Sequence, residues 1–325
     1  MANLRIPTLA DVYNAKLVVG RHLKPTPLVF SRKLSSMLGC EIYVKLENLQ
    51  PIGSFKLRGG LNYFHSMGEI AKKRGVITAS TGNHAQSIAY AGALYDSRVI
   101  VVMPEGVSKV KIDAIKELGG EVQTWGTLFE EAAARAQQLA KNEGYLFVHP
   151  INEPLLYEGV ATMHLEIFEE LPSLDLVINP IGGGSGASGA CIVYKNLKPS
   201  VAVVGAQAEG APAFYQSWKK GSVVSTDSVN TIAEGLATST AYELPLTIMR
   251  GKIDDIALVS DEEIKEAIRL LLVTIGQVAE PSGAASTAAA LKIRDRLRGK
   301  KVVLMLTGRN IQPELLNEII KSKNS

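Results

Sequence analysis

Short β-branched, apolar runs alternate with helical patterns along most of this chain, and no other feature restricts the possible folds as strongly. The runs are "EIYVKLE" (41–47), "GVITAS" (75–80), "SRVIVVMP" (97–104), "GEVQTWG" (120–126), "DLVINP" (175–180), "VAVVGAQ" (201–207), "DDIALVS" (254–260) and "KVVLMLTG" (301–308). Helical patterns lie between them, at 84–95, 108–118, 127–143, 155–171, 186–197, 261–275 and 283–298. Ser260 with Glu263 predicts a capping box at the start of one of them. Alternation of this kind predicts an α/β fold, with parallel sheets covered by helices on both faces. No low-complexity linker or fixed-period repeat interrupts it, so any domain division is built into the fold. At 325 residues, 46% hydrophobic, the chain can fill one large or two moderate domains. Open parallel sheets bind ligands at the carboxyl ends of their strands, and those ends are where a site is expected.

Charge and cysteine usage exclude several classes of function. Lys and Arg number 35 against 32 Asp and Glu, and aromatic residues make up only 6%, so no nucleic-acid partner is expected. The clusters "KKRG" (72–75) and "RGKK" (298–301) suit helix-to-strand junctions, where cations complement a helix C-terminus. Cys40 and Cys191 lie far apart and form no metal motif; no metal is expected, and a reducing cytoplasm is the expected compartment. The start "MANLRIPTLADVY" lacks the apolar core of a signal peptide, and no apolar run is long enough to span a bilayer. A soluble, cytoplasmic protein with no membrane partner is the expectation.

Three strand ends carry chemistry. In "ENLQPIGSFKLRGG" (47–60), Gly53 and Ser54 lead into a helix with Phe55 and Lys56 among its early residues. A helix N-terminus prefers anions, so a lysine there is less comfortable as an ammonium, which is what a Schiff-base lysine requires. In "ASTGNHAQS" (79–87), Ser80, Thr81, Gly82 and Asn83 precede a helix beginning near His84. The N–H groups of such a first turn suit a carboxylate or phosphate, although Thr81 or Asn83 could equally serve as an N-cap. In "NPIGGGSGASGACIVY" (179–194), Gly182, Gly183, Gly184, Ser185 and Gly186 let successive N–H groups wrap an anion. Gly184, Gly186 and Gly189 also satisfy G-x-G-x-x-G, with Glu209 twenty residues beyond, as in a dinucleotide fold. A nicotinamide enzyme, however, gives no reason for "GSFKLRG".

Taken in order, "LENLQPIGSFKLRGG", "STGNHAQSIAYAG", "VMPEGVSKVKIDAIKELGGEV", "IGGGSGASG", "EPSGAAS" and "LTGRNI" resemble the fold type II pyridoxal-phosphate enzymes. The resemblance is nearest to the serine/threonine dehydratase and serine racemase group and covers roughly residues 10 to 315. It implies two open, twisted, mostly parallel sheets flanked by helices, with the cofactor in the cleft between domains. It also implies a large cofactor-binding domain of residues 1–50 and 151–325, and a small domain of 51–150 that closes over substrate. Lys56 would carry pyridoxal 5'-phosphate and act as the base at Cα. Phe55 would pack beside the cofactor, Asn83 would bond its 3′-oxygen, Gly182, Gly183, Gly184, Ser185 and Gly186 would hold its phosphate, and Thr307 would face its ring nitrogen. The substrate carboxylate would be received by Ser80, Thr81, Gly82, Asn83 and His84. A neutral hydroxyl at Thr307 makes the ring a weaker electron sink than an aspartate would, favouring β-elimination over transamination. The implied activity is conversion of a β-hydroxy amino acid such as L-threonine or L-serine to a 2-keto acid and ammonia, by a homodimer.

Departures from the family pattern keep alternatives open. Thr81 stands where the group's dehydratases often carry Ala and its racemases Ser, so an acid/base role for Thr81, and racemisation of serine, remain possible. The racemases' cation site falls on Gln207 and near Pro212, with Glu209 out of register, so no cation is expected. "TGRN" replaces the usual "SGGN"; with "STGNH" this resembles hydroxyectoine-utilisation dehydratases, and Arg309 becomes a candidate for reading a second anionic group, as on 3-hydroxyaspartate. β-Replacement synthases usually carry Ser-Val-Lys-Asp-Arg at the lysine, unlike "SFKLRG". Glu280 and Gly235 are expected behind the cofactor region, and Tyr157, His149 and His164 are expected to be structural. Because the chain stops soon after "TGRNIQPELLNEIIKSKNS", feedback through a C-terminal regulatory extension is not expected.

Overall fold

A computed structural model describes residues 5–322; residues 1–4, at the head of the start read above for a leader, and 323–325 lie outside the described residues. The helices are α1 (Leu9–Val19), α2 (Arg32–Leu38), α3 (Leu57–Arg74), α4 (Asn83–Leu94), α5 (Lys109–Glu117), α6 (Phe129–Glu143), α7 (Pro154–Glu170), α8 (Ser185–Leu197), α9 (Ala213–Lys220), α10 (Glu243–Met249), α11 (Asp261–Ile275), α12 (Pro281–Lys292) and α13 (Pro313–Lys321). The strands are β1 (Leu28–Phe30), β2 (Glu41–Leu46), β3 (Val76–Ala79), β4 (Val99–Met103), β5 (Glu121–Thr124), β6 (Leu146–Phe147), β7 (Leu176–Pro180), β8 (Ala202–Ala208), β9 (Asp255–Val259) and β10 (Lys301–Leu306). All eight expected runs form strands. The chain divides into two compact units: one holds the chain up to Leu23 together with Lys56–Val160, the other Lys24–Phe55 together with Ala161–Ser325.

The first unit is built on a parallel sheet in the order β5-β4-β3-β6. Every residue of β3 and β4 is buried, as expected of strands covered on both faces. Helix α4 lies tightly against α3 because Gly60 faces Ser87; a Cβ on Gly60 would come within 2.5 Å of the Ser87 hydroxyl and 2.7 Å of its carbonyl oxygen. This close seating joins the helix that follows Lys56 to the helix that follows Ser80–Gly82.

The second unit holds a sheet in the order β1-β2-β10-β7-β8-β9, parallel except for the β1–β2 pair. Its core joins alternate residues of the central strands, among them Ile178, Val204, Ala206 and Leu304, to the small face of α12, including Ala284, Ala285, Ala288 and Ala289. Small residues let α12 approach closely; a Cβ on Gly283 would lie 2.5 Å from the Gly308 oxygen. The capping box at α11 is present, with Glu263 N donating to Ser260 Oγ at 3.2 Å and Ser260 N donating to Glu263 Oε2 at 2.7 Å.

Several elements were not expected from sequence. β1 and β6 have three and two residues, too few to show an alternating period. The helix expected over 283–298 ends at Lys292, and a separate 3₁₀ turn spans Arg294–Arg296. Among the described residues, no helix is long and apolar enough to cross a membrane.

Candidate active site

In the second unit the order β2-β10-β7 makes three strand ends neighbours, and their parallel register puts all three at the same edge of the sheet. The chain leaving β2 runs to Phe55, the chain leaving β10 begins with Thr307, and the chain leaving β7 enters the glycine turn. The first two segments are stitched together. Phe55 N donates to Thr307 O at 3.1 Å, Ser54 pairs with Gly308, and Arg309 N donates to Gly53 O at 2.9 Å. Asn310 Nδ2 donates to Ile52 O, while Asn310 N donates to Glu280 Oε2. Glu280 thus braces the turn that bears Thr307, which is itself 5% exposed. Lys56 is the next residue after Phe55, so the lysine is tethered to a segment fixed on this edge.

The glycine turn is shaped by contacts that side chains would block. A Cβ on Gly182 would fall 2.0 Å from the Gly235 carbonyl oxygen, so backbone meets backbone there. Gly184 is the N-cap of α8 at φ 85°, a left-handed conformation that favours glycine. No side chain caps α8, and the first-turn N–H groups of an α-helix have no partner within it. His164, fully buried, donates Nε2–H to the Gly186 carbonyl oxygen at 3.0 Å. Read from sequence as structural without context, it is a brace for this turn; an isolated histidine in a helical pattern carried no sign of that partner. Gly235, expected behind the cofactor region, stands directly behind Gly182 and donates its N–H to Ser282 Oγ at 2.9 Å.

The first unit supplies a lysine and a second helix start. Lys56 precedes α3 as its N-cap, with helical φ and ψ, so the helix begins one residue after the lysine and not at Phe55 as expected. The Lys56 carbonyl oxygen accepts from Gly59 N at 3.1 Å and from Ser87 Oγ at 2.7 Å, which fixes its backbone against both α3 and α4. The turn after β3 holds Ser80, Thr81, Gly82 and Asn83, all partly exposed. Neither Thr81 nor Asn83 is the N-cap of α4. Gly82 occupies that position and no side chain caps the helix, which leaves the capping alternative for Thr81 without support.

His84 lies behind this turn, 7% exposed, with Nε2 3.0 Å from Thr78 Oγ1. Thr78 gives its one proton to Val148 O at 2.8 Å, so His84 must donate from Nε2 and keep its lone pair on Nδ1. Burial, reinforced by Lys56 and then His149, pushes the imidazole pKa down to about 3. The sign follows from linkage: below the ordinary value of 6.5 the unfolded chain takes up a proton that the folded chain refuses. Stability from keeping His84 neutral is therefore complete above that value and is lost as the pH falls towards the folded pKa. Between pH 7 and 5 the loss is set by the unfolded value and amounts to about 2 kcal/mol. Urea titrations should show wild-type protein losing about 2 kcal/mol more over that interval than His84→Asn; equal losses would mean that folded His84 takes up the proton too.

The remaining candidates have other employment. Glu209, placed by the dinucleotide pattern, accepts from Lys292 Nζ at 2.9 Å. Gln207 Oε1 accepts from Tyr215 N at 2.8 Å, and Pro212 is the N-cap of α9. Arg309 is exposed, its stem lying over Gly53. His149 Nδ1 accepts from the N–H groups of Ile151 and Asn152, a turn-forming role, and Tyr157 is fully buried.

A mostly parallel sheet whose edge carries a glycine turn, with a lysine one residue beyond a segment stitched to that edge, has the parts that an enzyme using a phosphate-bearing carbonyl cofactor would need. The family model described as "Pyridoxal-phosphate dependent enzyme" matches residues 19–308, and the chain belongs to that family. It is 37% identical over 313 residues to the L-threonine ammonia-lyase of Thermotoga maritima, covering 96% of this chain and 78% of that one. It is 33% identical to the L-threo-3-hydroxyaspartate ammonia-lyase of Saccharomyces cerevisiae, covering 98% of each. The crystal structure of serine racemase from Dictyostelium discoideum superposes with a TM-score of 0.88 at 34% identity, covering 94% of this chain and 99% of that one. The cofactor is pyridoxal phosphate, and its phosphate suits the turn at Gly182–Gly186, where Gly182 packs backbone to backbone on Gly235 and left-handed Gly184 opens a helix that no side chain caps.

Proposed function

We propose that this chain is a dehydratase that eliminates water from a β-hydroxy amino acid such as L-threonine or L-serine, the product taking water up again to give a 2-keto acid and ammonia, and that it acts in the cytoplasm as a homodimer. The observation that carries the reading is Thr307: the residue that directly follows β10, hydrogen-bonded to the segment ahead of Lys56, is a neutral hydroxyl and not a carboxylate. Pyridoxal phosphate, when bound, withdraws electrons from the Cα–H bond of an attached amino acid. The chain's own residues then decide the outcome. Lys56 Nζ would hold the cofactor until the substrate amine displaces it and, once freed, would take the Cα proton as general base. The N–H groups of Gly182–Gly186 hold the phosphate. The turn Ser80–Thr81–Gly82, with Asn83 and the backbone N–H of His84 at the start of α4, receives the substrate carboxylate, and Asn83 bonds the 3′-oxygen. Thr307 leaves the ring nitrogen unprotonated, which favours loss of a β-substituent over transamination. The names of the relatives support an ammonia-lyase.

Thr81 favours a second reading, amino-acid racemisation. Its hydroxyl is not the cap of α4, and in this reading it would act as an acid on the face opposite the lysine. Incubating the purified enzyme with L-serine and measuring both keto acid and D-serine separates the two. Keto acid in excess of D-serine is expected. Thr81→Ala should abolish any D-serine formation while keeping keto-acid formation within roughly tenfold, since one general acid is worth about 10²–10⁴-fold only to the step it serves. D-serine without keto acid would replace the dehydratase reading with a racemase.

A further inference from the structure

Asn179 belongs to β7, a strand whose other residues are apolar, and it is fully buried. Neither its Oδ1 nor its Nδ2 has a hydrogen-bond partner among the described residues. An amide buried with both ends unpartnered costs free energy, and a strand covered on both faces normally excludes one. The side chain reaches the glycine turn: Oδ1 lies 3.6 Å from the position a Cβ on Gly186 would take, in the first turn of α8. The same small space is bounded by the Met163 methyl group, 3.6 Å from that position, and by the Phe55 ring, 3.9 Å from it; neither can satisfy an amide. In register, Asn179 stands opposite Gly205 of β8, which offers no side chain. His164, which reaches this turn from α7, is committed to the Gly186 carbonyl. With both ends unpartnered, a half-turn about the terminal bond presents Nδ2 in place of Oδ1 at no hydrogen-bond cost.

We propose that Asn179 is a phosphate-positioning residue, its amide completing the anion cradle from the strand side by donating towards the phosphate held at Gly182–Gly186. The assignment rests on the reading that this turn holds the cofactor phosphate. It explains why an amide is kept at the end of an apolar strand: it is satisfied only when the anion is present.

The test compares pyridoxal phosphate with pyridoxal, which lacks the phosphate, in spectroscopic titrations of the cofactor-stripped full-length protein. Asn179→Val should weaken pyridoxal phosphate binding roughly tenfold or more, the scale of a hydrogen bond to a charged group, and leave pyridoxal binding unchanged. The thermal midpoint of the cofactor-free variant should equal or exceed that of wild type, because an unsatisfied amide has been removed. Asn179→Asp, nearly isosteric, keeps the test open if the valine variant does not fold; a carboxylate facing the phosphate should weaken binding further, by roughly 100-fold. Unchanged pyridoxal phosphate affinity in both variants, or equal weakening of both ligands, overturns the assignment. If Gly182→Ala also leaves the preference for pyridoxal phosphate over pyridoxal intact, the reading of the glycine turn fails with it; if only the Asn179 variants do so, that reading stands.

Discussion

Lys56→Ala is expected to lower turnover of a β-hydroxy amino acid by ~10⁴-fold or more and to abolish the visible absorbance that a lysine-linked pyridoxal phosphate gives the enzyme. The substitution removes the covalent attachment point and the base at Cα together. The fold should survive it. What fixes this residue is its carbonyl oxygen, which accepts from Gly59 N and Ser87 Oγ, and alanine keeps that carbonyl. Thermal midpoints of the two cofactor-free proteins should therefore agree, so that lost activity reads as lost chemistry. Lys56→Arg separates charge from chemistry: a guanidinium keeps the positive charge but does not deprotonate, so it should be as inactive as alanine. Turnover within tenfold of wild type in either variant would remove Lys56 from the mechanism.

Lys56 also shows how far the sequence could be read. An ammonium set at a helix start, after Gly53-Ser54-Phe55, was visible as an anomaly in a single string, and so was a glycine run between a strand and a helix. Both are local patterns, fixed by backbone geometry within a few residues. The order β2-β10-β7 was not visible, because parallel pairing between residues more than 100 apart leaves no local trace. Without that order nothing joins Phe55 to Thr307, although the two share a hydrogen bond of 3.1 Å. Capping gave the opposite error: Thr81 and Asn83 are residue types that commonly cap helices, yet Gly82 takes the position. Asn179 had a signal that went unread, since an amide inside an apolar strand is unusual whatever the fold. His164 had none, because its partner is the backbone of a turn 22 residues away.

The same contrast between local pattern and tertiary contact sets the second large effect, within one turn. Gly182→Ala should weaken pyridoxal phosphate binding by roughly 100-fold, the scale of an ångström-sized displacement at a binding group, whereas Gly186→Ala should change it by less than about threefold. Sequence alone ranks the two equally, since both are glycines of one cradle. The surroundings do not. The new Cβ at 182 would lie 2.0 Å from the Gly235 oxygen and 3.0 Å from both the Gly235 carbonyl carbon and Leu236 Cα, all backbone atoms that no rotamer change can move. Relief requires the turn itself to shift by about 1 Å, carrying its N–H groups away from the phosphate they would hold. Overpacking of this kind should also cost about 1–3 kcal/mol of stability. At 186 the new methyl would meet Asn179, Met163 and Phe55 side-chain atoms at 3.6, 3.6 and 3.9 Å, which is ordinary contact. Gly186 also lies inside α8, where alanine is favoured over glycine by about 0.5–1 kcal/mol, so that variant should be as stable as wild type or more so. Titration of the cofactor-stripped proteins, with thermal melts beside it, checks both halves. If the two variants bind alike, the phosphate is held somewhere other than on the backbone of Gly182–Gly186, and the cradle is a packing device between β7 and α8.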